Sequence, residues 1–362
     1  MRKVCLLSTV ASAHWIKFNA HFRKYFDAEF YFYSSIGDRQ KWWKVDLGEH
    51  CHVLPCKFKW HSRYMTLSVL KVLREFDPDV VLMSGFSIPA NYIAYLWAKR
   101  HGKKVAIYSE RSRKDDKLRG YTWQWRLLHW LYRKVDLVIT TAQDTVPQFR
   151  DTFRFGDKVV AGQYPSDIRG YYEHPIRGKK DSYTIIYANR QTDIYNPLAA
   201  VRILYGVLKK YPKTRMKMNA TGELRPQVEA LIAKLGIGNS VEFLDNLKTW
   251  EDLGRTYASC DIMILPAKWS DGNYSTRECM ASGMMCLVTD RVLGDEPQLL
   301  RAMNDDFYLP LDEQRFVDRI CKCIEHPESF ETIAERNREA MRPFCLDGTA
   351  ALYSRHINSL FK

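Results

Sequence analysis

Between Asp261 and Asp290 the sequence alternates between apolar and polar segments in a way that allows few folds. Its predicted parts are a strand at Ile262–Leu265, a loop at Lys268–Tyr274, a helix from Ser275 to Gly283, and a second strand at Cys286–Thr289. The first apolar run is short and uninterrupted, which is typical of a strand that is buried on both faces. The order strand, helix, strand therefore predicts a parallel β–α–β unit.

The loop in this stretch leads into a helix N-terminus, and that end of a helix is a candidate anion site. The first backbone N–H groups of a helix lack partners within the helix, and the helix dipole is positive there. Ligands of open parallel sheets bind beyond the carboxyl ends of the strands, where this loop lies. Glu278, one turn into the helix, could accept hydrogen bonds from the vicinal hydroxyls of a ribose. An alternative is a capping box, in which Ser275 and Glu278 only close the helix start.

Composition limits the class of protein. A chain of 362 residues suits two domains, and a hydrophobic content of 46% excludes a disordered chain. No apolar run is long enough to span a bilayer, and the run at Val4–Ser8 is too short for a signal peptide. The nine cysteines lack zinc-site spacing and are expected to be reduced thiols. These features together predict a cytoplasmic protein.

The positive charge lies in one half of the chain. Residues 1–180 contain 32 Lys and Arg against 17 Asp and Glu, whereas the remainder contains 23 against 25. The formal net charge of +13 therefore comes from the N-terminal half alone. Such asymmetry indicates that this half meets an anionic partner, either nucleic acid or a membrane surface.

Apolar runs and amphipathic segments alternate along the whole chain, which predicts two α/β domains with doubly wound parallel sheets. The predicted helices include one from about Trp15 to Tyr25 and one at about Glu296–Met303. The stretch from Tyr164 to Ser182 is rich in charge, Pro and Gly and is predicted to connect them. We expect an N-terminal domain of residues 1–170 plus 346–362, a linker at 171–182, and a C-terminal domain at 183–345.

The second domain contains several motifs in a specific order. They are Ala188-Asn-Arg190 after its first strand, Ala220-Thr-Gly-Glu-Leu224 after the next, Val241-Glu-Phe-Leu-Asp245, Ala258 to Pro266, and Arg277 to Gly283. This half resembles the donor domain of a GT-B glycosyltransferase, close to retaining family 4 (glycosyl transferases group 1). The resemblance implies two Rossmann-like domains facing across a cleft, with the C-terminal helix crossing back to the N-terminal domain.

The resemblance also implies a chemistry and a set of site residues. A UDP- or GDP-sugar would be the donor substrate, the transfer would retain the anomeric configuration, and no metal or other cofactor would be required. The candidate catalytic residues are Arg190, Asp271, Glu278 and Glu110. The candidate donor-binding residues are Asn189, Arg190, Thr221, Gly222, Asn246, Leu247, Gly272, Asn273, Tyr274, Ser275, Thr276 and Glu278. The candidates on the acceptor side are Thr9, His14 and Arg111.

This sequence departs from the family pattern at several of these positions. The family pairs two glutamates around the phosphate loop, and here Glu278 fills the second place while Ser270 fills the first. Asp271 is the candidate substitute, although Asp-Gly is also ordinary turn chemistry. Glu110 stands where the family often has a histidine, and a carboxylate at a strand end often only caps a helix or pairs with an arginine.

A segment of the first domain mixes Trp and Leu with basic residues. Gly120 to Lys134 reads G-Y-T-W-Q-W-R-L-L-H-W-L-Y-R-K, which on a helix suits a membrane interface. The alternative is a buried helix under the sheet. With the basic charge, the segment favours peripheral attachment to the cytoplasmic face of an anionic membrane. The acceptor would then be a saccharide or a lipid- or polyprenyl-linked saccharide in surface polysaccharide biosynthesis.

Three other functions remain open at this point. A basic protein that binds a membrane or nucleic acid without catalysis is one, but no recognised nucleic-acid module is present, and we expect no nucleic-acid partner. A sugar-nucleotide epimerase of the same fold would hold a UDP-sugar with acid and base pairs. An inactive, donor-binding scaffold is the third, because of Ser270.

Overall fold

The structure is a computed structural model, and it describes residues 1–35, 46–56, 58–60, 63–110, 123–175, 180–271, 274–294, 299 and 307–362. The chain divides into two compact units, Met1–Asp167 together with Phe344–Lys362, and Ile168–Pro343. Each unit contains a parallel sheet with helices, so the expected pair of doubly wound α/β domains is confirmed.

The described elements are numbered in chain order. The strands are β1 (Lys3–Val10), β2 (Asp27–Ser34), β3 (Cys51–Val53), β4 (Phe58–Trp60), β5 (Arg63–Met65), β6 (Val80–Ser84), β7 (Lys104–Ser109), β8 (Leu137–Thr140), β9 (Val159–Ala161), β10 (Thr184–Tyr187), β11 (Arg215–Met218), β12 (Val241–Phe243), β13 (Ile262–Leu265), β14 (Ser270–Asp271), β15 (Met285–Thr289), β16 (Val292–Leu293) and β17 (Tyr308–Leu309). The helices are α1 (Ala13–Phe22), α2 (Ser68–Phe76), α3 (Pro89–Arg100), α4 (Trp123–Leu131), α5 (Pro197–Leu208), α6 (Arg225–Leu235), α7 (Trp250–Ala258), α8 (Tyr274–Ala281), α9 (Glu313–Glu325), α10 (Ser329–Met341) and α11 (Leu346–Ser359).

The sheet of the first unit has seven parallel strands in the order β3-β2-β1-β6-β7-β8-β9. Its central strands are uninterrupted apolar runs, because helices cover both faces of the sheet. Val4–Leu7 of β1 and Val80–Met83 of β6 are fully buried. The two antiparallel strands β4 and β5 form a separate hairpin.

Two groups of helices cover this sheet. Side chains of α2, α3 and α4 pack into one core cluster, and those of α1 and α11 pack into another. The buried apolar residues of α11 recur at helical spacing and are Leu346, Ala350, Tyr353 and Ile357. The expectation that the C-terminal helix returns to the N-terminal domain is therefore confirmed.

The sheet of the second unit has six parallel strands in the order β12-β11-β10-β13-β15-β17. Strand β10 pairs with β11 on one side and with β13 on the other, so the direction of winding reverses between β10 and β13. The loops that leave two such strands diverge and leave a crevice at their carboxyl ends. The motifs after β10 and β13 are therefore located where the fold favours ligand binding.

Several bounds differ from those expected from the sequence. Helix α1 begins at Ala13 rather than at Trp15, and Arg169–Glu173 forms a 3₁₀ turn within the second unit. The helix predicted at 296–303 falls almost entirely outside the described residues. None of the helices in the described part of the chain combines the length and the apolar character that crossing a membrane requires.

Candidate functional site

The loop after β10 is joined by hydrogen bonds to the loop after β11. The backbone N–H of Gln191 donates to the carbonyl of Thr221 at 2.6 Å, and the N–H of Leu224 donates to the carbonyl of Gln191 at 2.9 Å. The Gln191 side chain adds a third bond, from Nε2 to the carbonyl of Asn219 at 2.6 Å. These bonds hold two of the predicted donor loops together as one structure.

Gly222 lies at the closest approach of these two loops. Its φ of +140° lies in a region that side chains rarely adopt, and a Cβ there would lie 2.3 Å from the carbonyl oxygen of Gln191. The glycine predicted for donor binding therefore also has a local structural role, because only glycine allows this approach.

The loop after β13 is tied to the same edge of the sheet. The N–H of Lys268 donates to the carbonyl of Ile194 at 2.8 Å, and Lys268 Nζ pairs with Asp193 at 2.5 Å. The loops after β10, β11 and β13 thus form a continuous rim at the carboxyl ends of these strands.

Four buried side-chain oxygens on this rim and on α8 have no hydrogen-bond partner in the described part of the chain. They are Asn189 Oδ1, Gln191 Oε1, Thr192 Oγ1 and Thr276 Oγ1. As whole residues, Asn189 is 7% exposed, and Gln191 and Thr276 are fully buried. An unpaired buried polar atom costs about 1–3 kcal/mol, and native proteins contain few of them. Amide oxygens only accept hydrogen bonds, so hydroxyl or N–H groups of a ligand would satisfy them.

Arg190 adds a positive charge at this rim. It lies between Asn189 and Gln191 in the chain, its side chain is exposed, and its guanidinium forms no ion pair with any residue that the structure describes. The backbone carbonyl of Arg190 accepts from the hydroxyl of Tyr187 at 3.2 Å, which anchors the turn while the side chain remains in solvent.

Helix α8 begins at Tyr274, so Ser275 is its second residue and does not occupy the N-cap. This start does not fit the capping-box interpretation of Ser275 and Glu278. Glu278 is buried, and its Oε2 accepts a hydrogen bond from the hydroxyl of Tyr257 at 3.0 Å. Its carboxylate therefore has a specific partner from another helix, α7.

The remaining donor candidates also belong to the second unit. Thr221 donates from its hydroxyl to Asn219 Oδ1 at 2.8 Å, Asn246 is exposed, and Leu247 is half-buried. Tyr274 and Ser275 are half-buried at the start of α8. Gly272, Asn273 and the side chain of Asp271 lie outside the described residues, although the backbone of Asp271 pairs with Leu293.

The acceptor-side candidates belong to the first unit. Thr9 lies near the end of β1 and is half-buried. His14 is 5% exposed in the first turn of α1, and its Nδ1 accepts from the backbone N–H of Asp167 at 3.2 Å, which gives it a structural contact. Glu110 follows β7 and is exposed, while Arg111 lies outside the described residues.

Two residues of the site were not predicted from sequence. Gln191 is next to Arg190, but its bonds run to a loop that starts 28 residues later. Tyr257 resembles an ordinary core aromatic of an amphipathic helix, and only the structure reveals its contact with Glu278. Among the described residues, no group of three or more His, Cys, Asp or Glu side chains is arranged to hold a metal ion.

Comparison with known families agrees with this arrangement. A family model described as Glycosyl transferases group 1 matches residues 184–326, and one described as Glycosyltransferase Family 4 matches residues 35–161. An uncharacterized glycosyltransferase of Methanocaldococcus jannaschii is 23% identical over 256 residues, which span 59% of this chain and 61% of that protein. The chain thus spans less than two thirds of the length of this relative.

Solved structures share the fold over the full chain. HepE of Anabaena, solved in complex with UDP and glucose, has a TM-score of 0.76 at 14% identity, with 99% of this chain and 100% of that chain covered. A glycosyltransferase from Rickettsia africae has a TM-score of 0.72 at 14% identity, with 100% and 99% covered. At such identities the likeness shows the fold alone.

Proposed function

Because the chain belongs to the group 1 and family 4 glycosyltransferases, we propose that it transfers a sugar from a nucleoside diphosphate sugar to a saccharide acceptor. The observation that carries this proposal is the pair of buried amide oxygens without partners, Asn189 Oδ1 and Gln191 Oε1, on either side of the exposed Arg190 in the chain. Thr276 Oγ1 in α8 is a further buried oxygen without a partner in the described residues. A sugar nucleotide can satisfy both features. The hydroxyl groups of its sugar rings can donate hydrogen bonds to the buried oxygens, and its diphosphate is an anion that can pair with Arg190.

Several of the candidate residues have a specific role in this proposal. Arg190 and the N-terminal end of α8 would stabilise the negative charge of the departing diphosphate, the step that preorganised donors accelerate most. Glu278 would bind the ribose hydroxyls and Asp271 the donor sugar. Asn246 and Leu247 would border the base.

The reaction is a substitution at the anomeric carbon of the donor. The acceptor hydroxyl oxygen forms a bond to this carbon, and the bond from the carbon to the diphosphate oxygen breaks. The hydroxyl proton passes either to Glu110 or to the departing diphosphate. Retention of configuration rests on the family resemblance alone.

A UDP-sugar is the donor that we favour. HepE was solved with UDP and glucose, and it shares the fold over the whole chain. A GDP-sugar is the alternative, because the residues expected to border the base, Asn246 and Leu247, do not distinguish the two bases.

Thermal unfolding with added nucleotides tests the proposed donor site. A ligand that binds only the native state stabilises it by about 2.7 kcal/mol at one hundred times its dissociation constant. We expect UDP or GDP to raise the Tm, and uridine or guanosine to have little effect because they lack the diphosphate. If no nucleoside diphosphate or nucleotide-sugar at millimolar concentration shifts the Tm, the proposal is wrong.

Product analysis separates the proposed transferase from an epimerase. Conversion of a UDP-sugar to its epimer would favour an epimerase.

We also propose that the first unit attaches peripherally to an anionic membrane through α4. Trp123, Leu127 and Trp130 are 71%, 46% and 59% exposed and share one face of this helix. The other face packs on the core, where the ring of Trp125 stacks on that of Phe153 with a distance of 3.7 Å between the ring centroids. Helix α4 is therefore neither fully buried nor polar on its outer face, a combination that suits a membrane interface.

This attachment supports a lipid-linked acceptor. A polyprenyl- or lipid-linked saccharide remains at the bilayer surface, so an enzyme held at that surface meets it directly. We therefore favour a role in surface polysaccharide assembly on the cytoplasmic side.

Vesicle sedimentation tests the membrane proposal. Replacing Trp123 and Trp130 with Gln removes two large apolar side chains, which should weaken partitioning onto phosphatidylglycerol vesicles by about tenfold or more. Tyr205→Gln, at an exposed aromatic of the second unit, is the control and should partition like the wild type. Equal partitioning of the double variant and the wild type would contradict the role of α4.

A further inference from the structure

Tyr257 and Glu278 form a buried contact between α7 and α8. The Tyr257 hydroxyl lies 3.0 Å from Glu278 Oε2, and the two residues are 2% and 4% exposed. Burial, and then the charge of Glu278, raises the pKa of Tyr257 well above its usual value. The phenol therefore keeps its proton at any working pH, and it is the donor in this hydrogen bond.

The Tyr257 ring is itself held in place. Helix α7 starts with a complete capping box, in which Thr249 Oγ1 accepts from the N–H of Asp252 at 3.1 Å and Asp252 Oδ2 accepts from the N–H of Thr249 at 3.0 Å. At the other end of the helix, the ring of Tyr171 meets that of Tyr257 edge-on, with centroids 5.7 Å apart. The hydroxyl of Tyr257 is thus presented to Glu278 from a fixed ring.

We propose that Tyr257 is a positioning residue that orients the carboxylate of Glu278 toward the ribose of the bound nucleotide. This inference rests on the proposed donor site. A glutamate side chain has several rotatable bonds, and a hydrogen bond to one oxygen selects one orientation before the ligand arrives. An ionised carboxylate can accept about four hydrogen bonds, so the bond from Tyr257 and two bonds from a ribose diol can coexist.

The hydroxyl of Tyr257 can be removed without changing the ring. Tyr257→Phe keeps the ring that meets Tyr171 and removes the hydroxyl that donates to Glu278. The matched control is Tyr353→Phe, because the buried Tyr353 hydroxyl also donates a hydrogen bond, to the carbonyl of Gln163 at 3.2 Å in the first unit. Both variants lose a buried hydroxyl, but only one of them affects the donor site.

The readout is discrimination between ribose and deoxyribose. Calorimetry gives the Kd of each protein for UDP, 2′-deoxy-UDP and 3′-deoxy-UDP, and for the matching guanine nucleotides. Hydrogen bonds to charged groups contribute about 1.5–3 kcal/mol, so the wild type should prefer UDP or GDP over at least one deoxy form by about tenfold or more. In Tyr257→Phe this ratio should fall toward one, mainly through weaker binding of the ribonucleotide. Tyr353→Phe should keep the wild-type ratio.

The outcomes separate this inference from the proposed function. If the wild type binds neither UDP nor GDP, the donor site itself is refuted. If it binds them and Tyr257→Phe keeps the full ribose preference, Tyr257 does not position Glu278, although the donor site stands. A variant that loses ribo- and deoxynucleotide affinity equally would also overturn the inference, because that result reflects only a structural role.

Discussion

The backbones of Gly222 and Gln191 lie so close together that the rim formed by the loops after β10, β11 and β13 requires a residue without a side chain at position 222. In Gly222→Ala the new Cβ would lie 2.3 Å from the Gln191 carbonyl oxygen, at a φ of +140°. We expect a loss of about 1–3 kcal/mol in the free energy of unfolding and a weaker nucleotide affinity, because the two loops must separate. Denaturant unfolding and calorimetry measure the two effects.

The matched control for this change is Gly238→Ala. A Cβ at Gly238 would meet no atom within 4 Å, and its φ is not positive. This variant should unfold like the wild type or be slightly more stable. Equal free energies of unfolding for Gly222→Ala and Gly238→Ala would contradict the close approach of the loops after β10 and β11.

Substitution of Arg190 should separate an effect on catalysis from an effect on stability. Because its guanidinium is exposed and has no ion pair in the described residues, Arg190→Ala should change the free energy of unfolding by less than about 0.5 kcal/mol. If the guanidinium stabilises the departing diphosphate, kcat/KM should fall by about a hundredfold or more. Arg342→Ala, at an exposed arginine of the same unit, is the control. Full activity of Arg190→Ala would contradict the assigned role.

Single residues were predictable where a local motif places them. Asn189, Arg190 and Thr276 follow or begin predicted elements, so strand and helix patterns locate them at the carboxyl edge of the sheet. The residues that support this edge were not predictable, because their role depends on distant partners. Tyr257 and Glu278 are 21 residues apart, and no periodicity in the sequence relates them.

Among the elements, α11 shows how a short charged contact fixes a terminal helix. Asp347 in its first turn accepts from Lys24 at 2.8 Å and contacts His21 at 2.6 Å, both in or next to α1. These hydrogen bonds, with Lys24 the larger cause and His21 the second, lower the pKa of Asp347 to about 2. A carboxyl whose folded pKa is depressed adds stability above its unfolded pKa of about 4 and loses it as the pH falls toward about 2.

We therefore expect Asp347→Asn to destabilise the protein at pH 7, with a difference that shrinks as the pH falls below about 4. Since the Asp347 side chain is 41% exposed, the cost at pH 7 should be at most about 1 kcal/mol. Urea unfolding of both proteins from pH 7 to pH 3 measures this. Asp157→Asn, at an exposed carboxyl without an ion pair in the described residues, should have no such effect. If the difference in free energy of unfolding between the wild type and Asp347→Asn increased as the pH fell, the contact of Asp347 with Lys24 and His21 would be contradicted.

Most elements were predictable, and their bounds less so. Buried parallel strands such as β10 and β13 are uninterrupted apolar runs, which periodicity identifies directly. The start of α1 was placed too late because Ser12, whose Oγ accepts from the N–H of Trp15 at 3.5 Å, is the N-cap. For α4, sequence left a buried helix and an interfacial helix open, and the structure combines a packed face with an exposed one.

For the whole molecule, the alternation of strands and helices predicted two parallel sheets, because only a crossover connection can join parallel strands. The strand order in each sheet did not follow from the alternation. The reversal between β10 and β13 depends on which strands pair, and sequence alone does not specify that.

The charge asymmetry of the whole chain predicts how salt should affect membrane attachment. Residues 1–180 carry 32 basic against 17 acidic residues, so attraction to an anionic bilayer should act on the half that contains α4. A basic residue near such a surface contributes about 1 kcal/mol, and the screening length falls to about 3 Å at 1 M salt. We expect binding to phosphatidylglycerol vesicles to weaken by about tenfold or more between 50 mM and 500 mM NaCl. Neutral phosphatidylcholine vesicles should bind weakly at both concentrations, through the apolar face of α4 alone. Binding that is equally strong on neutral vesicles and insensitive to salt would show that the basic excess has no part in attachment.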